Sequence, residues 1–74
     1  MKFKANDYDE KSVMKFLREA TNKNQEDFGK SIDLGKMTIQ GYERGQRNYT
    51  FKTLMKIARK YGFSITIEKD TKNK

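Results

Sequence analysis

The sequence contains no cysteine, histidine, proline or tryptophan in its 74 residues. Without cysteine there is no disulfide framework. Without histidine or cysteine there is no imidazole base, thiolate nucleophile or zinc site built from nitrogen and sulfur ligands. These absences exclude the commonest acyl-transfer and metallohydrolase arrangements. Long apolar runs are missing too, so the sequence predicts neither a membrane-spanning helix nor a signal peptide. We therefore expect a soluble intracellular protein that is not an enzyme and holds no cofactor or metal.

Basic residues, in contrast, are abundant. Seventeen lysines and arginines stand against ten acidic residues, which gives a formal net charge of +7. Residues 1–37 hold eight basic and seven acidic side chains, whereas residues 38–74 hold nine basic and three acidic ones. A basic second half favours a polyanionic partner, and the lack of an insertable segment favours nucleic acid over a membrane surface. A merely solvated surface is the alternative.

Apolar spacing and capping residues predict four helices in a single domain. They cover residues 9–21, 25–32, 36–44 and 51–61. The expected N-caps are Asp7 or Asp9, Asn24 and Thr50, and the expected terminating residues are Gly45 and Gly62. The expected core positions are Val13, Phe16, Leu17 and Ala20, then Phe28 and Ile32, then Ile39 and Tyr42, and finally Phe51, Leu54, Ile57, Ala58 and Tyr61.

The connection between the second and third helices is predicted to be a tight turn. Asp33 tolerates a left-handed backbone better than most residues, and Gly35 accepts it freely. Gly29 has no side chain, and this allows the third helix to approach the second closely. Two short helices that cross steeply are therefore expected over residues 25–44.

Beyond Gly62 the apolar period changes to two, with Phe63, Ile65 and Ile67 alternating with polar residues. This pattern predicts a short strand within residues 63–68. Residues 1–8 are expected to form an N-terminal arm, and residues 69–74 a flexible basic tail. Because a lone strand cannot satisfy its own backbone groups, it needs a partner, either the arm or the same strand of a second copy.

Three linked segments carry a resemblance to a known family. They read QEDFG at residues 25–29, IQGYERG at 39–45 and LMKIA at 54–58. Over about residues 10–62 the chain resembles the helix-turn-helix domains of the phage repressor and Cro class, also called the XRE family. The resemblance implies an all-α, lambda-repressor-like domain, residues 9–62, with four to five short helices and a short C-terminal β-strand.

The chain departs from the family pattern at five positions. The usual small Ala is Gly29, the turn Gly is Asp33, the cap Ser is Gly35 and the loop Pro is Tyr49. At Gly41, relatives usually present a long polar side chain to the bases. Either Gly41 lets the helix sit close to DNA, or it weakens base specificity.

The resemblance also implies a DNA-contacting surface, since in this family the third helix enters the major groove. Carried over by position, the base-reading residues are Lys36, Met37, Thr38, Gln40 and Gly41. The implied contacts to the DNA backbone are Gln25, Arg44, Arg47, Asn48 and Tyr49. Lys52, Lys56 and Lys60 fit a phosphate contact and a solvated face equally well.

The same resemblance implies a structural ion pair between Arg18 and Glu43. It also implies a homodimer joined through Phe63, Ile65 and Ile67. We expect a bacterial or phage-derived cytoplasmic protein, nucleoid-associated when bound, that acts as a dimeric repressor on a palindromic operator in double-stranded DNA.

Two alternatives differ from this reading. One is an antitoxin that binds a toxin protein and represses its own operon. The other is an enzyme that holds a metal on Asp7, Asp9 and Glu10. Helix capping explains those acidic residues better, and no calcium-loop spacing follows them.

Overall fold

The computed structural model describes residues 2–4 and 9–67 of the chain. Its elements in chain order are β1 (Lys2–Lys4), α1 (Glu10–Ala20), α2 (Gln25–Ser31), α3 (Lys36–Arg44), α4 (Phe51–Tyr61) and β2 (Ser64–Thr66). The predicted fold class is confirmed, because four helices precede a short C-terminal strand. The predicted cap at Asp7, the end of the predicted strand at Glu68 and the tail at 69–74 lie outside the described residues.

Side-chain caps begin three of the four helices at the predicted positions. Asp9 accepts a hydrogen bond from the Ser12 N–H at 2.9 Å, Asn24 accepts one from Asp27 at 2.8 Å, and Thr50 accepts one from Thr53 at 3.2 Å. Hydrogen bonds with Ser12 hold the pKa of Asp9 below its ordinary value. The Asp9 carboxylate is therefore engaged in capping.

The core forms where the four helices meet. Its buried side chains are Val13, Met14, Leu17, Phe28, Ile32, Ile39, Tyr42, Leu54, Ile57 and Ala58. Helices α2 and α3 pack against each other, and α1 packs across α3. No helix in the described part of the chain is long and apolar enough to cross a membrane.

The predicted buried face of α1 was partly wrong. Met14 is fully buried, whereas Phe16 is 37% exposed and Ala20 is exposed. Arg18 follows Met14 by four residues, so the two lie on the same side of the helix. The side of α1 that faces α3 therefore includes both Arg18, which pairs with Glu43, and Met14. Phe16 lies at the edge of the core.

The predicted burial of Phe51 was also wrong, since this side chain is 62% exposed. It is the first helical residue of α4, and burial begins one turn later, at Leu54. At the other end of α4, Tyr61 stacks between Phe28 and Phe63 with ring centroids 5.8 Å apart in each pair. The Tyr61 hydroxyl is also hydrogen-bonded to the hydroxyl of Ser31. Helix α4 is therefore anchored to the domain from Leu54 to its last residue, Tyr61.

The turn between α2 and α3 leaves no room for a side chain at residue 29. Asp33 takes the predicted left-handed backbone, with φ of 62°, whereas Gly35 has φ of −78° and does not use that conformation. The Leu34 N–H donates to the Gly29 carbonyl at 2.8 Å. A Cβ on Gly29 would lie 2.5 Å from the Leu34 carbonyl oxygen and 3.2 Å from Cγ1 of Ile39. The predicted close approach at Gly29 is confirmed, and the family's usual Ala would collide with this turn.

The C-terminal strand pairs with the N-terminal arm of the same chain. β1 and β2 run parallel in a two-stranded sheet, with Lys2 opposite Ser64, Phe3 opposite Ile65 and Lys4 opposite Thr66. Of the two partners considered from the sequence, the arm is the one observed. The strand is also shorter than the predicted residues 63–68.

Candidate nucleic-acid interface

Helix α3 has one face in the core and one face towards solvent. Ile39 and Tyr42 are buried on the inner face. On the outer side, Lys36 is exposed, Met37 is 70% exposed, and Thr38 and Gln40 are half-buried. Four of the five residues expected to read bases are therefore at least partly accessible, at or near the N-terminal end of α3.

The fifth expected base-reading residue, Gly41, is placed differently from the expectation, because it is buried. The stem of Arg47 covers it, and a Cβ on Gly41 would lie 2.9 Å from Cδ and 3.0 Å from Cγ of Arg47. The Gly41 carbonyl accepts hydrogen bonds from the N–H groups of Gln46 and Arg47, at 2.9 and 3.1 Å. Gly41 thus makes room for the loop after α3 and offers no surface of its own.

The orientation of α3 depends on an ion pair with α1. The Arg18 Nε lies 2.6 Å from Oε2 of Glu43, and a second guanidinium nitrogen lies 3.1 Å from Oε1. The side chains are only 16% and 6% exposed. Donation to Glu43 raises the pKa of Arg18 above its ordinary value. The remaining guanidinium nitrogen donates to the Lys23 carbonyl at 3.0 Å. The resemblance implied an ion pair between these two residues, and the structure shows a bidentate, largely buried pair.

Gln25, expected to contact phosphate, is part of the same network. Its side-chain amide donates to Oε1 of Glu43 at 3.2 Å. The Glu43 carboxylate therefore joins the first residue of α2 to α1 and α3. Only one of the two amide N–H donors of Gln25 is used in this way, and the other is left to donate elsewhere. The sequence reasoning missed this internal role, because it depends on how three helices meet.

Tyr49, expected to contact the DNA backbone, instead closes the loop onto α1. Its hydroxyl donates to the Glu10 carbonyl at 2.6 Å, and its ring meets Tyr42 edge-on with centroids 5.4 Å apart. Burial raises the pKa of Tyr49 to about 12. The hydroxyl proton that a phosphate would need is already donated within the domain. The structure therefore gives Tyr49 a structural role within the domain, and its contact with the DNA backbone stays a prediction.

Exposed basic residues continue from α3 onto neighbouring elements. Arg44, Arg47 and Asn48 are exposed, as expected for residues near a phosphate backbone. Lys11 and Lys15 of α1 line a shallow depression together with Arg44. These two lysines were not among the predicted site residues, because they lie in the first half of the sequence, where acidic side chains nearly balance the basic ones. Their spacing of four residues places them on one side of α1.

The basic face of α4 is partly compensated. Lys56 lies 3.4 Å from a carboxylate oxygen of Asp33, and both side chains are exposed. Lys52 and Lys60 are also exposed. An exposed pair of this kind contributes little to stability, so Lys56 remains accessible to solvent and to other anions.

A family model for helix-turn-helix proteins of the XRE type matches residues 14–67, from α1 to just past β2. The chain belongs to this family. The sequence-based resemblance to the Cro and phage repressor class is thereby confirmed, and the protein is a DNA-binding transcription regulator of the XRE type. The comparisons with curated proteins and with solved structures found no match.

In an XRE-type domain the two crossing helices are α2 and α3, and the second of them is the recognition helix. The recognition helix here is held at its C-terminal half, by Glu43, by Tyr42 in the core and by Gly45, which ends it with φ of 76°. Its first turn has no side-chain cap and extends outwards. An α-helix presented in this way has the size that the major groove of B-DNA admits.

Proposed function

We propose that this XRE-type regulator is a dimeric repressor that reads a palindromic operator with the N-terminal half of α3. The exposure of Lys36 and Met37 beside half-buried Thr38 and Gln40 supports this proposal most directly. These four are accessible side chains in the first five residues of a helix whose opposite face is anchored in the core. Repression would follow from occupancy of the operator. The proposed activity needs no catalytic residue or cofactor.

Each of these four side chains of α3 has a suitable base partner in the major groove. The Gln40 amide can pair with the N6 and N7 groups of adenine, and Lys36 can donate to guanine. Met37 and the methyl group of Thr38 can pack on the methyl group of thymine. Arg44, Asn48, Lys11 and Lys15 are proposed to hold the phosphates on either side, which adds affinity without sequence preference.

The proposed dimer uses β2. One edge of this strand pairs with β1, and the other edge has no partner among the described residues. Phe63 and Ile65 are half-buried against the core, whereas Ile67 is 64% exposed at the end of the strand. Pairing of two β2 edges about a twofold axis would satisfy the exposed backbone groups and cover Ile67. Two recognition helices would then face half-sites about 34 Å apart.

Sedimentation of two matched variants tests the dimer. We expect Ile67→Lys to give monomers, because it places a charge in the proposed interface. Phe51→Lys is the control: its side chain is 62% exposed, close to the 64% of Ile67, but it begins α4, whereas β2 follows the end of that helix, which is about 16 Å long. Ile65→Pro should also give monomers. It is the less specific test, because β2 also pairs with β1 and the proline removes one N–H of β2. An Ile67→Lys variant that stays dimeric would refute the role of β2.

Selection of bound duplexes from a random pool, repeated at several salt concentrations, tests DNA reading. We expect enrichment of a palindrome for the wild type and relaxed preference at one position of each half-site for Gln40→Ala. Lys15→Ala should weaken binding to all duplexes alike and lower the salt slope by about one per subunit. Lys30→Ala, on the exposed side of α2, is the control.

A steep salt dependence without any enriched sequence would contradict the proposal, because it would leave phosphate binding alone. The gene neighbourhood separates a free-standing repressor from the antitoxin alternative, since an antitoxin gene lies beside the gene for its toxin.

A further inference from the structure

The loop that follows α3 folds back onto the helix and lays one long side chain across it. Arg47 stands three residues beyond the last residue of α3, and its N–H donates to the Gly41 carbonyl at 3.1 Å. Its Cβ, Cγ and Cδ atoms lie 3.4, 3.0 and 2.9 Å from the position that a Cβ on Gly41 would take. The stem of Arg47 therefore occupies the space that a side chain at residue 41 would fill.

That space belongs to the outer face of the recognition helix. Gly41 follows Met37 by four residues and Thr38 by three, so the three positions are neighbours on one side of α3. Met37 is 70% exposed on this side. The stem of Arg47 belongs to the loop after α3, yet it lies beside the residues of α3 that are proposed to face the bases.

The guanidinium of Arg47 is not committed within the domain. Asp9 and Glu10 line a second shallow depression together with Arg47, yet neither carboxylate forms an ion pair with the Arg47 guanidinium. Within residues 9–67 this guanidinium makes no hydrogen bond. Arg18, in contrast, uses its guanidinium on Glu43 and the Lys23 carbonyl. The Arg47 side chain is exposed, and its head group is available to a ligand.

We propose that Arg47 is a specificity-determining residue that reads a guanine in the major groove, and that Gly41 is the positioning residue that lets it reach there. This inference rests on the proposed function, since it assumes that α3 faces the bases. Arginine is the side chain best suited to guanine, because two of its N–H groups match the O6 and N7 acceptors. A stem packed along the helix also orients the head group before DNA binds, unlike a freely rotating side chain on a loop.

The Arg47→Lys variant separates base reading from phosphate binding, because it keeps the charge and removes the paired donors. The probes are the duplex selected by the wild type and its single-base-pair variants. We expect the wild type to prefer guanine at one position of each half-site by roughly 5- to 100-fold. For Arg47→Lys we expect this preference to fall several-fold, with an unchanged salt slope. Arg59→Lys, on the exposed side of α4, is the matched control and should keep the preference.

Two further measurements test the geometry. Replacing the guanine by 7-deazaguanine, which lacks the N7 acceptor, should weaken binding of the wild type more than binding of Arg47→Lys, because the lysine has no second donor held parallel to the first. Gly41→Ala, whose Cβ displaces the Arg47 stem, should lose the same preference at the same base pair. Added to Arg47→Lys, it should cause no further loss of preference. Circular dichroism and urea unfolding establish that each variant is folded, and Arg47→Lys tests the base contact even if Gly41→Ala does not fold.

Three other outcomes would contradict, in turn, the role of Arg47, the role of Gly41 and the proposed function. If the wild type selects a palindrome but Arg47→Lys keeps every base preference, Arg47 is not a base reader, and the proposed function still stands. If Gly41→Ala lowers the preference further in the Arg47→Lys background, Gly41 does not act through Arg47. If the wild type selects no sequence at all, the proposed function fails, and this inference fails with it.

Discussion

Removal of one partner of the Arg18–Glu43 pair should destabilise the domain more than removal of both. The Glu43 side chain is only 6% exposed, and in Arg18→Met its carboxylate keeps a single donor from a side chain, the Gln25 amide at 3.2 Å. Loss of one partner of a buried ion pair costs about 3–5 kcal/mol, because a buried charge is left uncompensated. We expect about 3 kcal/mol for Arg18→Met, since the Gln25 amide still donates to the carboxylate.

Glu43→Leu and the double variant show how much of the loss comes from the unpaired charge. In Glu43→Leu, the Arg18 guanidinium keeps the Lys23 carbonyl at 3.0 Å, and its long stem allows the charged head to move towards water. We expect a loss of about 2 kcal/mol for this variant. The double variant leaves no unpaired charge, and we expect it to lose about 1 kcal/mol or less.

Urea unfolding followed by far-UV circular dichroism measures these free energies. A domain of 74 residues has a total stability of about 4–11 kcal/mol, so a loss of 3 kcal/mol is readily resolved. The control is the exposed Glu26–Lys30 pair, with atoms 3.6 Å apart, whose coupling should be about 0.5 kcal/mol or less. If the double variant loses as much stability as Arg18→Met alone, or more, the uncompensated-charge argument is wrong.

Three further predictions concern single contacts. Gly29→Ala should lower the free energy of unfolding by about 1–3 kcal/mol despite better helix propensity, because its Cβ would lie 2.5 Å from the Leu34 carbonyl oxygen; a stabilised variant in urea unfolding would contradict this. Gly35→Ser should raise the free energy of unfolding by roughly 0.5–1 kcal/mol, because nothing lies within 4 Å of the added Cβ and α3 gains an N-cap. An unchanged urea midpoint would count against this prediction. Tyr49→Phe should cost about 1 kcal/mol at neutral pH through the lost hydrogen bond to Glu10. Because burial raises the pKa of Tyr49 from 10.0 to about 12, the unfolded chain releases this proton first, and the wild type should lose more stability than Tyr49→Phe between these pH values. Parallel pH profiles of the two proteins would disprove that assignment.

The helix ends could be predicted because short-range chemistry sets them. Asn24 and Thr50 cap the helices that follow them, and α3 ends at Gly45. The exposure of Phe16 and Phe51 could not be predicted in the same way. It depends on how α1 rotates and on where α4 meets the core, and no periodic pattern within one helix contains that information.

The same distinction divides the candidate site. The outer residues of α3 follow from helical spacing, and their exposure agrees with expectation at Lys36 and Met37. The structural roles of Gln25 and Tyr49 depend on contacts with residues 18 and 39 positions away along the chain. The resemblance placed both residues at the DNA backbone by position, which stays a prediction. It could not show that Gln25 also donates to a carboxylate and Tyr49 to a backbone carbonyl within the domain.

The recognition helix is held unequally at its two ends, and this asymmetry fits its proposed task. Its C-terminal half is fixed by the paired Glu43 and by Tyr42, whose ring meets Tyr49. Its first turn has only Gly35 as a cap, so the N–H groups there are left without a side-chain acceptor. A helix that is rigid at one end and unsatisfied at the other can place its N-terminal turn in a groove without reorganisation. In the proposed complex, its N–H groups without a side-chain acceptor would be available to acceptors in the DNA.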